Sequence, residues 1–294
     1  MTAIEPKERT FTINGFHYAA QEWGDPGGFP ILALHGWLDN CGSFSILAQQ
    51  LPDAHIVAVD LSGHGRSSHR QGLSDYSVWG DIAELFAIAD QMGWQCFAFM
   101  GHSRGAMVSV LASGVFPQRV SHTILIDAIV PVVMDASKAP ERMATSIEEM
   151  QRRVRREQSC YPTYQAAINA RCHSEFGSIT QATAEILAQR GLVKRDAGYH
   201  WHADGKLWAP STIALTAEQL SAFLDKISAK VLVLVGDRGF KQRANQSQSP
   251  FYIDIDATIK RLRASLQEFD DGHYLHMEAC STEVADCISR FIAC

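Results

Sequence analysis

The alternation of apolar runs with helix-like segments constrains the fold of this chain more than any other feature. Runs such as "PILALHG" and "HIVAVDLSG" are each followed by a segment with helical periodicity. In the clearest of these helices four apolar residues fall on one face, namely Ile82, Leu85, Phe86 and Ala89. Continuous apolar strands between helices indicate a parallel sheet that helices cover on both faces. We therefore predict an α/β fold with a mostly parallel central sheet.

Two departures from this rhythm predict how the chain is divided. Near the start, alternating polarity around Asn14 and Gly15 predicts an antiparallel hairpin. From 134 to 227 the rhythm gives way to consecutive helices and an aromatic stretch, and it then resumes. We predict a core domain made of 1–133 and 228–294, interrupted by a helical domain at 134–227.

Composition excludes several classes of protein. The formal charge of −6 disfavours a nucleic-acid surface, and no apolar run approaches the length of a membrane span. Seven scattered cysteines without a C-x-x-C pair indicate reduced thiols. We therefore expect a cytoplasmic protein with no nucleic-acid partner, no membrane partner, no metal and no cofactor, and a homodimer stays open.

Two further clusters have an ordinary interpretation. The basic run "RRVRR" at 152–156 has helical spacing and is interpreted as a solvated helix face, with an anion-binding role as the alternative. His200 and His202 lack a cysteine or carboxylate at ligand spacing, so we expect an exposed hairpin and not a metal site. Tyr199, Trp201 and Trp208 lie in the same segment; most of them are expected in the core of the insertion, and one or two are candidates for lining the acyl pocket.

The stretch "FAFMGHSRGAM" at 97–107 carries the strongest chemical signal. Ser103 stands between Gly101 and Gly105, directly after an apolar strand and before a helix that begins at Arg104. Glycine on each side permits an abrupt turn that exposes the serine oxygen. The helix start would point N–H groups and a positive dipole end at charge developing beside Ser103. This pattern predicts a serine nucleophile.

A nucleophilic serine needs a base and an oxyanion hole. His273 follows the last predicted strand, and His276, its competitor, lies one step into the next helix, where packing or capping is expected. The backbone N–H of Arg104 is one candidate oxyanion donor. The other is the backbone N–H of Trp37, in the loop after the third strand, with the Trp37 indole as a pocket wall.

Taken together, these motifs resemble the α/β-hydrolase superfamily. "HGW" (35–37), "DLSGHGRSS" (60–68), "GHSRG" (101–105) and "GHYLHME" (272–278) occur in the order and at the spacing of that family. "LALHGWLDNCGSF", "GHGRSSHR" and "ILAQRG" are similar to the serum hydrolase-like group within it. The resemblance covers nearly the whole chain and implies a helical cap over the active site, at the position of the 134–227 insertion.

The resemblance leaves the acid of the triad open. Most members carry it after the seventh strand as G-x-x-D, where this chain has Gly239, with Asp237 two residues earlier. Some haloalkane dehalogenases place it after the sixth strand, where this chain has Asp127. We favour Asp127 and keep Asp237 as the alternative; Asp127 could also merely cap the start of the insertion.

The expected function is that of a serine hydrolase. Through Ser103, His273 and the acid it would cleave a small carboxylic ester or related acyl substrate by way of an acyl-enzyme. The aromatic residues of the insertion favour an apolar acyl group. A C–C bond hydrolase or lyase on the same serine and histidine, and a catalytically silent binding module, remain as alternatives.

Overall fold

The computed structural model describes residues 5–156, 158–174, 177–240, 242 and 254–293. The strands are β1 (Lys7–Ile13), β2 (Phe16–Trp23), β3 (Phe29–Leu34), β4 (Ala54–Val59), β5 (Phe97–His102), β6 (Val120–Ile126), β7 (His173–Ser174), β8 (Gly177–Ser178), β9 (Leu192–Arg195), β10 (Gly198–Trp201), β11 (Lys230–Gly236) and β12 (Ser265–Phe269). The α-helices are α1 (Ser45–Ala48), α2 (Ile82–Gln91), α3 (Arg104–Val115), α4 (Ala139–Arg155), α5 (Tyr164–Cys172), α6 (Gln181–Gly191), α7 (Ala217–Leu224), α8 (Ile255–Leu262) and α9 (Ser281–Ile292). Short 3₁₀ turns cover Cys41–Phe44, Pro117–Arg119, Ala136–Lys138 and Gly205–Trp208. None of the helices described here combines the length and apolar character that a bilayer crossing requires.

One eight-stranded sheet organises the fold. Its strand order is β1-β2-β4-β3-β5-β6-β11-β12. Within this sheet β4, β3, β5, β6, β11 and β12 pair in parallel, each with the next. β1 pairs antiparallel with β2, and β2 pairs antiparallel with β4. The predicted α/β class with a mostly parallel central sheet is therefore confirmed.

The hairpin that opens the sheet follows from its two turn residues. Ile13 pairs with Phe16, so the turn is only Asn14 and Gly15. Both have positive φ, 51° and 79°. A two-residue turn of this handedness matches the twist of the flanking strands, and Asn-Gly is the pair that adopts it most readily. The hairpin prediction is confirmed.

Helices cover the sheet on both faces. On one face, α2, α3, α7 and α8 contribute Leu85, Val108, Leu224 and Leu262 to the larger apolar cluster, with α7 packed against α3. On the other face, α1 and α9 contribute Leu47 and Ile288. The apolar face predicted for α2 is confirmed, since its four residues are all buried. Because both faces are covered, the polar residues that follow the strands are confined to the sheet's two edges.

The residues between β6 and β11 form the insertion. They contain α4 to α7 and two small two-stranded sheets, β7 with β8 and β9 with β10. Ile168 and Leu187 of the insertion share an apolar cluster with Tyr274 and Met277, which follow β12. The inserted helices thus pack directly onto the loop after the last strand. As a separate domain, the range 134–227 stays a prediction; residues 1–4, 241, 243–253 and 294 of the predicted core lie outside the described part.

Candidate active site

Ser103 occupies a strained turn between β5 and α3. Its backbone angles are φ 52° and ψ −113°, a conformation that side-chain-bearing residues rarely adopt. A Cβ on Gly101 would lie 2.3 Å from the carbonyl carbon of Gly105. A Cβ on Gly105 would lie 1.9 Å from the carbonyl oxygen of Leu34. Only glycine therefore allows the strand and the helix to approach so closely on either side of Ser103.

The strained turn is tied to the neighbouring strand. The Ser103 N–H donates to the carbonyl of Ile126 at 2.9 Å. Ser103 and Asp127 therefore follow the carboxyl ends of adjacent strands, β5 and β6. Trp37 follows β3 and His273 follows β12 in the same sheet. The fold brings these four residues to one edge of the sheet, where ligands of α/β proteins bind.

Arg104 presents its backbone and its side chain to different partners. It is the first residue of α3, so its N–H has no acceptor within the helix and lies at the positive end of the helix dipole. The partly buried guanidinium donates from Nη2 to the carbonyls of Tyr76 and Ser77, at 2.7 and 3.0 Å. The side chain thus holds the loop before α2, which leaves the predicted oxyanion role to the backbone N–H.

His273 is bound to Asp127. The Nδ1 of His273 lies 2.5 Å from Oδ2 of Asp127, whose side chain is fully buried. The same carboxylate accepts from the backbone N–H groups of Gly236 and Phe240, at 2.9 and 2.8 Å. A carboxylate only accepts, so Nδ1 carries the proton and Nε2 is the acceptor of the neutral ring. Three donors compensate for burying the charge.

The space that the acid occupies explains Gly239. A Cβ on Gly239 would lie 2.3 Å from both carboxylate oxygens of Asp127. Position 239 therefore carries no side chain because the Asp127 carboxylate fills that space. Asp237 is half exposed and pairs with Arg238 at 3.3 Å. Of the two candidate acids, the structure brings Asp127 into contact with His273, and Asp237 faces solvent.

Two more histidines pack around His273. His102 bonds through Nε2 to the backbone carbonyl of His273 at 2.9 Å, and its ring lies 4.3 Å from that of His276. Burial lowers the pKa of both His102 and His276 well below the ordinary value of 6.5, so both are neutral at pH 7. Neither ring nitrogen of His276 has a partner among the described residues. His276 therefore packs against His102 and Tyr274, as expected, but it lies in the turns before α9, which begins at Ser281, so its expected place inside that helix is wrong.

A cavity of about 500 Å³ opens beside this edge. Trp37 and Tyr274, the residue after His273, both line it. The Trp37 indole donates from Nε1 to the carbonyl of Leu207 at 3.0 Å and packs edge-on against Trp208. Trp201 and Trp208, two of the three aromatic residues singled out in the insertion, also line the cavity. Tyr199 packs instead against Tyr164.

Buried ion pairs join the insertion to the core near the site. Nη2 of Arg171 contacts the buried Asp39 and donates to the Tyr274 hydroxyl at 2.8 Å. Nε of Arg190 donates to the buried Asp60 at 2.7 Å. The partners in each pair are about 130 residues apart. No local spacing in the sequence indicates these contacts.

The "HWH" segment differs from its expected exposure. His200 is buried, because its strand β10 packs against α5, so the expectation of an exposed hairpin is wrong at this residue. The ring of His202 packs at a tilt against that of His69, with ring centroids 4.8 Å apart. No group of three or more metal-ligating side chains occurs within the described ranges.

Comparison with known proteins agrees with this geometry. The pattern of the family described as alpha/beta hydrolase fold matches residues 30–161. A crystal structure of a hypothetical protein from Pseudomonas aeruginosa PAO1 superposes with a TM-score of 0.88 and 33% identity, covering 98% of both chains. The fold and the strained serine turn thus define an α/β hydrolase.

Curated relatives narrow the class. A probable serine hydrolase of Drosophila melanogaster is 31% identical over 282 residues, which are 93% of this chain and 83% of that protein. Serine hydrolase-like protein 2 of Homo sapiens is 31% identical over 292 residues, 95% of this chain and 91% of that protein. The chain therefore belongs to the α/β-hydrolase superfamily and, within it, to the serine hydrolase-like group, which confirms the resemblance found in the sequence.

Proposed function

We propose that this serine hydrolase-like protein cleaves a small carboxylic ester or related acyl compound through Ser103, His273 and Asp127. One observation carries the proposal: the 2.5 Å contact between His273 Nδ1 and the buried Asp127 carboxylate, on the sheet edge where the strained Ser103 lies. A base that is held by a carboxylate, on the same sheet edge as a partly exposed serine, is the arrangement that acyl transfer requires.

The first half of the reaction forms an acyl-enzyme. Nε2 of His273 takes the hydroxyl proton of Ser103 as the serine oxygen bonds to the substrate carbonyl carbon. The carbonyl π electrons move onto oxygen and give a tetrahedral oxyanion. Collapse of this intermediate expels the alcohol, which receives the proton from the His273 imidazolium. Asp127 stabilises that imidazolium and keeps Nε2 directed at the reacting atoms.

Two backbone donors are assigned to the oxyanion, the N–H groups of Arg104 and Trp37. The assignment for Arg104 is supported by its place at the start of α3, where the N–H lacks an acceptor within the helix. That for Trp37 is supported by its position in the loop after β3. Each such donor is worth about 10²–10³ in kcat in other enzymes.

The second half of the reaction regenerates the serine. His273 takes a proton from water, whose oxygen attacks the acyl carbon, and the resulting tetrahedral intermediate collapses to release the carboxylic acid. The proton returns from His273 to the Ser103 oxygen, which restores both residues. No group beyond those of the chain and water is needed to balance either half of the reaction.

Turnover of p-nitrophenyl acetate and butyrate tests the proposal with a matched pair of acid variants. Ser103→Ala is expected to abolish turnover, and Asp127→Asn to lower kcat by about 10³- to 10⁴-fold. Asp237→Asn, which removes an exposed carboxylate of the same kind, is expected to leave kcat within about twofold of wild type.

Three results would contradict the proposal in distinguishable ways. Full activity in Ser103→Ala removes the serine as the nucleophile. Loss in Asp237→Asn alone moves the acid and leaves the reaction class standing. Turnover of β-diketones or cyanohydrins without turnover of esters would replace the ester reaction with C–C hydrolysis or lysis on the same residues.

A further inference from the structure

The charges that line the cavity beside Trp37 are of one sign. The described side chains around it include four basic residues, namely Arg153, Arg156, Arg171 and His173, and no aspartate or glutamate. The chain as a whole has a formal charge of −6. A basic lining in an acidic protein therefore marks this cavity as a site where negative charge is favoured.

Two of these arginines have capacity for a ligand. Arg153 uses Nε to contact Oε1 of Glu149 at 2.5 Å, which leaves its two Nη groups, and its side chain is 24% exposed. Arg156 is exposed, and within the described part of the chain it forms no ion pair. Arg171 is already committed to Asp39, whose carboxylate offsets its charge, so it is not counted as a contact for the anion.

An aromatic pair connects these arginines to the candidate oxyanion loop. The Arg153 guanidinium carbon lies 5.7 Å from the centre of the Trp208 ring, and that ring lies 4.7 Å from the Trp37 ring. A molecule with its charged end at Arg153 and Arg156 would have its body against the two indoles and its other end at Trp37. A cavity of about 500 Å³ is large enough for such a molecule.

We propose that this cavity binds an anionic group of the substrate, a carboxylate or a phosphate, through Arg156 and Arg153. The inference rests on the proposed function only in taking the bound molecule to be the ester. The carbonyl end of the α4 dipole opposes an anion by about half a charge, and Glu149 offsets one of the two guanidinium charges of Arg152 and Arg153; Arg156 and the remaining charge of that group exceed the dipole. The anion-binding alternative for the run at 152–156 thus applies to Arg153 and Arg156, while Arg152 remains a largely exposed surface residue.

A binding titration tests the site without reference to catalysis. Tryptophan fluorescence reports on the cavity because Trp37, Trp201 and Trp208 line it. Benzoate, phenyl phosphate and the neutral benzyl alcohol serve as ligands, and the tighter of the two anions identifies the group recognised. Arg156→Gln is expected to weaken anion binding about tenfold, while Arg156→Lys restores part of the affinity. Arg155→Gln, in the same run but outside the cavity lining, is expected to stay within about twofold of wild type.

The binding data can overturn the inference in two ways. Benzyl alcohol binding as tightly as benzoate and phenyl phosphate would show that the cavity does not recognise charge. An equal loss in Arg155→Gln and Arg156→Gln would show that only the general field of the helix acts. Arg153→Gln provides a second test, with the same expected direction as Arg156→Gln.

A substrate comparison separates this inference from the proposed function. The half ester mono-p-nitrophenyl glutarate carries a carboxylate that p-nitrophenyl butyrate lacks. Arg156→Gln is expected to lower kcat/KM about tenfold for the glutarate ester, mainly through KM, and to leave the butyrate ester within about twofold. An unchanged ratio of the two esters in an active enzyme removes the anion site and leaves the esterase. Charge-dependent binding without ester turnover removes the esterase and leaves the anion site.

Discussion

Gly239 provides a test of the acid assignment that leaves every proposed catalytic side chain in place. Replacing Gly239 by alanine would put a methyl group 2.3 Å from both carboxylate oxygens of Asp127, where ordinary contacts begin at 3.4 Å. The carboxylate, the turn or both must then shift by about 1 Å. Because Asp127 also accepts the N–H groups of Gly236 and Phe240, it cannot move without weakening those bonds.

The expected cost in activity follows from the size of that shift. A misplacement of about 1 Å costs about 10²-fold in rate, and complete loss of the carboxylate's orienting effect costs about 10⁴-fold. Gly239→Ala is therefore expected to lower kcat between these limits. It is also expected to lower the free energy of unfolding by about 1–3 kcal/mol through overpacking.

The assay is p-nitrophenyl butyrate turnover, with Gly272→Ala as the control. Gly272 immediately precedes His273, and a Cβ there would meet no atom within 4 Å. The control variant is expected to stay within about threefold of wild type. Wild-type kcat in Gly239→Ala would refute the reasoning, since Asp127 would then not occupy a space that the reaction depends on.

An exchange of the two residues sharpens the same test. Asp127 has φ 47°, a conformation that glycine adopts without strain, so Asp127→Gly removes the carboxylate and fits the backbone. The single variant is expected to lose about 10³- to 10⁴-fold in kcat. Adding Gly239→Asp returns a carboxylate to the vacated space and is expected to recover at least about tenfold. No recovery in a folded double variant would show that residue 239 cannot hold the carboxylate against His273.

Two further predictions concern stability. Arg190→Gln leaves the fully buried Asp60 without its cationic partner, although the N–H groups of Cys41 and Arg66 still donate to it. Urea unfolding should show that the free energy of unfolding falls by about 3 kcal/mol. Arg66→Gln, which removes an exposed guanidinium, should lower it by less than about 1 kcal/mol. Burial lowers the pKa of His64, His102 and His276 well below 6.5, so below pH 6.5 the unfolded chain binds more protons than the folded chain. The free energy of unfolding therefore falls as the pH drops below 6.5, by up to about 1.4 kcal/mol per pH unit for each histidine. His276→Gln should flatten this dependence between about pH 7 and about pH 5, and a slope equal to that of wild type would contradict the assignment of a neutral buried histidine.

The sequence predicts local features of this fold well, because their causes are local. The Asn14-Gly15 turn, the apolar face of α2 and the glycines around Ser103 each follow from steric or periodic rules that span a few residues. The sequence also predicts that Ser103 and His273 lie at one edge of the sheet, because residues that follow parallel strands share that edge.

Contacts between distant segments lie beyond this reasoning. His273 and Asp127 are 146 residues apart, and spacing alone left Asp237 open as the acid. What distinguishes the two is the space at Gly239, which exists only when β6 and β11 lie side by side. The contact of Arg171 with Asp39 and the bond from His102 to the His273 carbonyl likewise need the folded chain. The glycine at position 239, where the family motif has its acid, is nevertheless a sequence signal, because it indicates an acid after the neighbouring strand β6.

The most direct test of the central claim is the rate at which a fluorophosphonate probe labels Ser103, followed by mass spectrometry of the modified peptide. The probe phosphonylates a serine only when its hydroxyl is activated, so it reports the nucleophile without requiring the natural substrate. We predict labelling at Ser103 in wild type, labelling slower by about 10³-fold in Asp127→Asn, and a wild-type rate in Asp237→Asn. Absence of labelling at Ser103 in folded wild-type protein, or the same rate in Asp127→Asn as in wild type, would contradict the account.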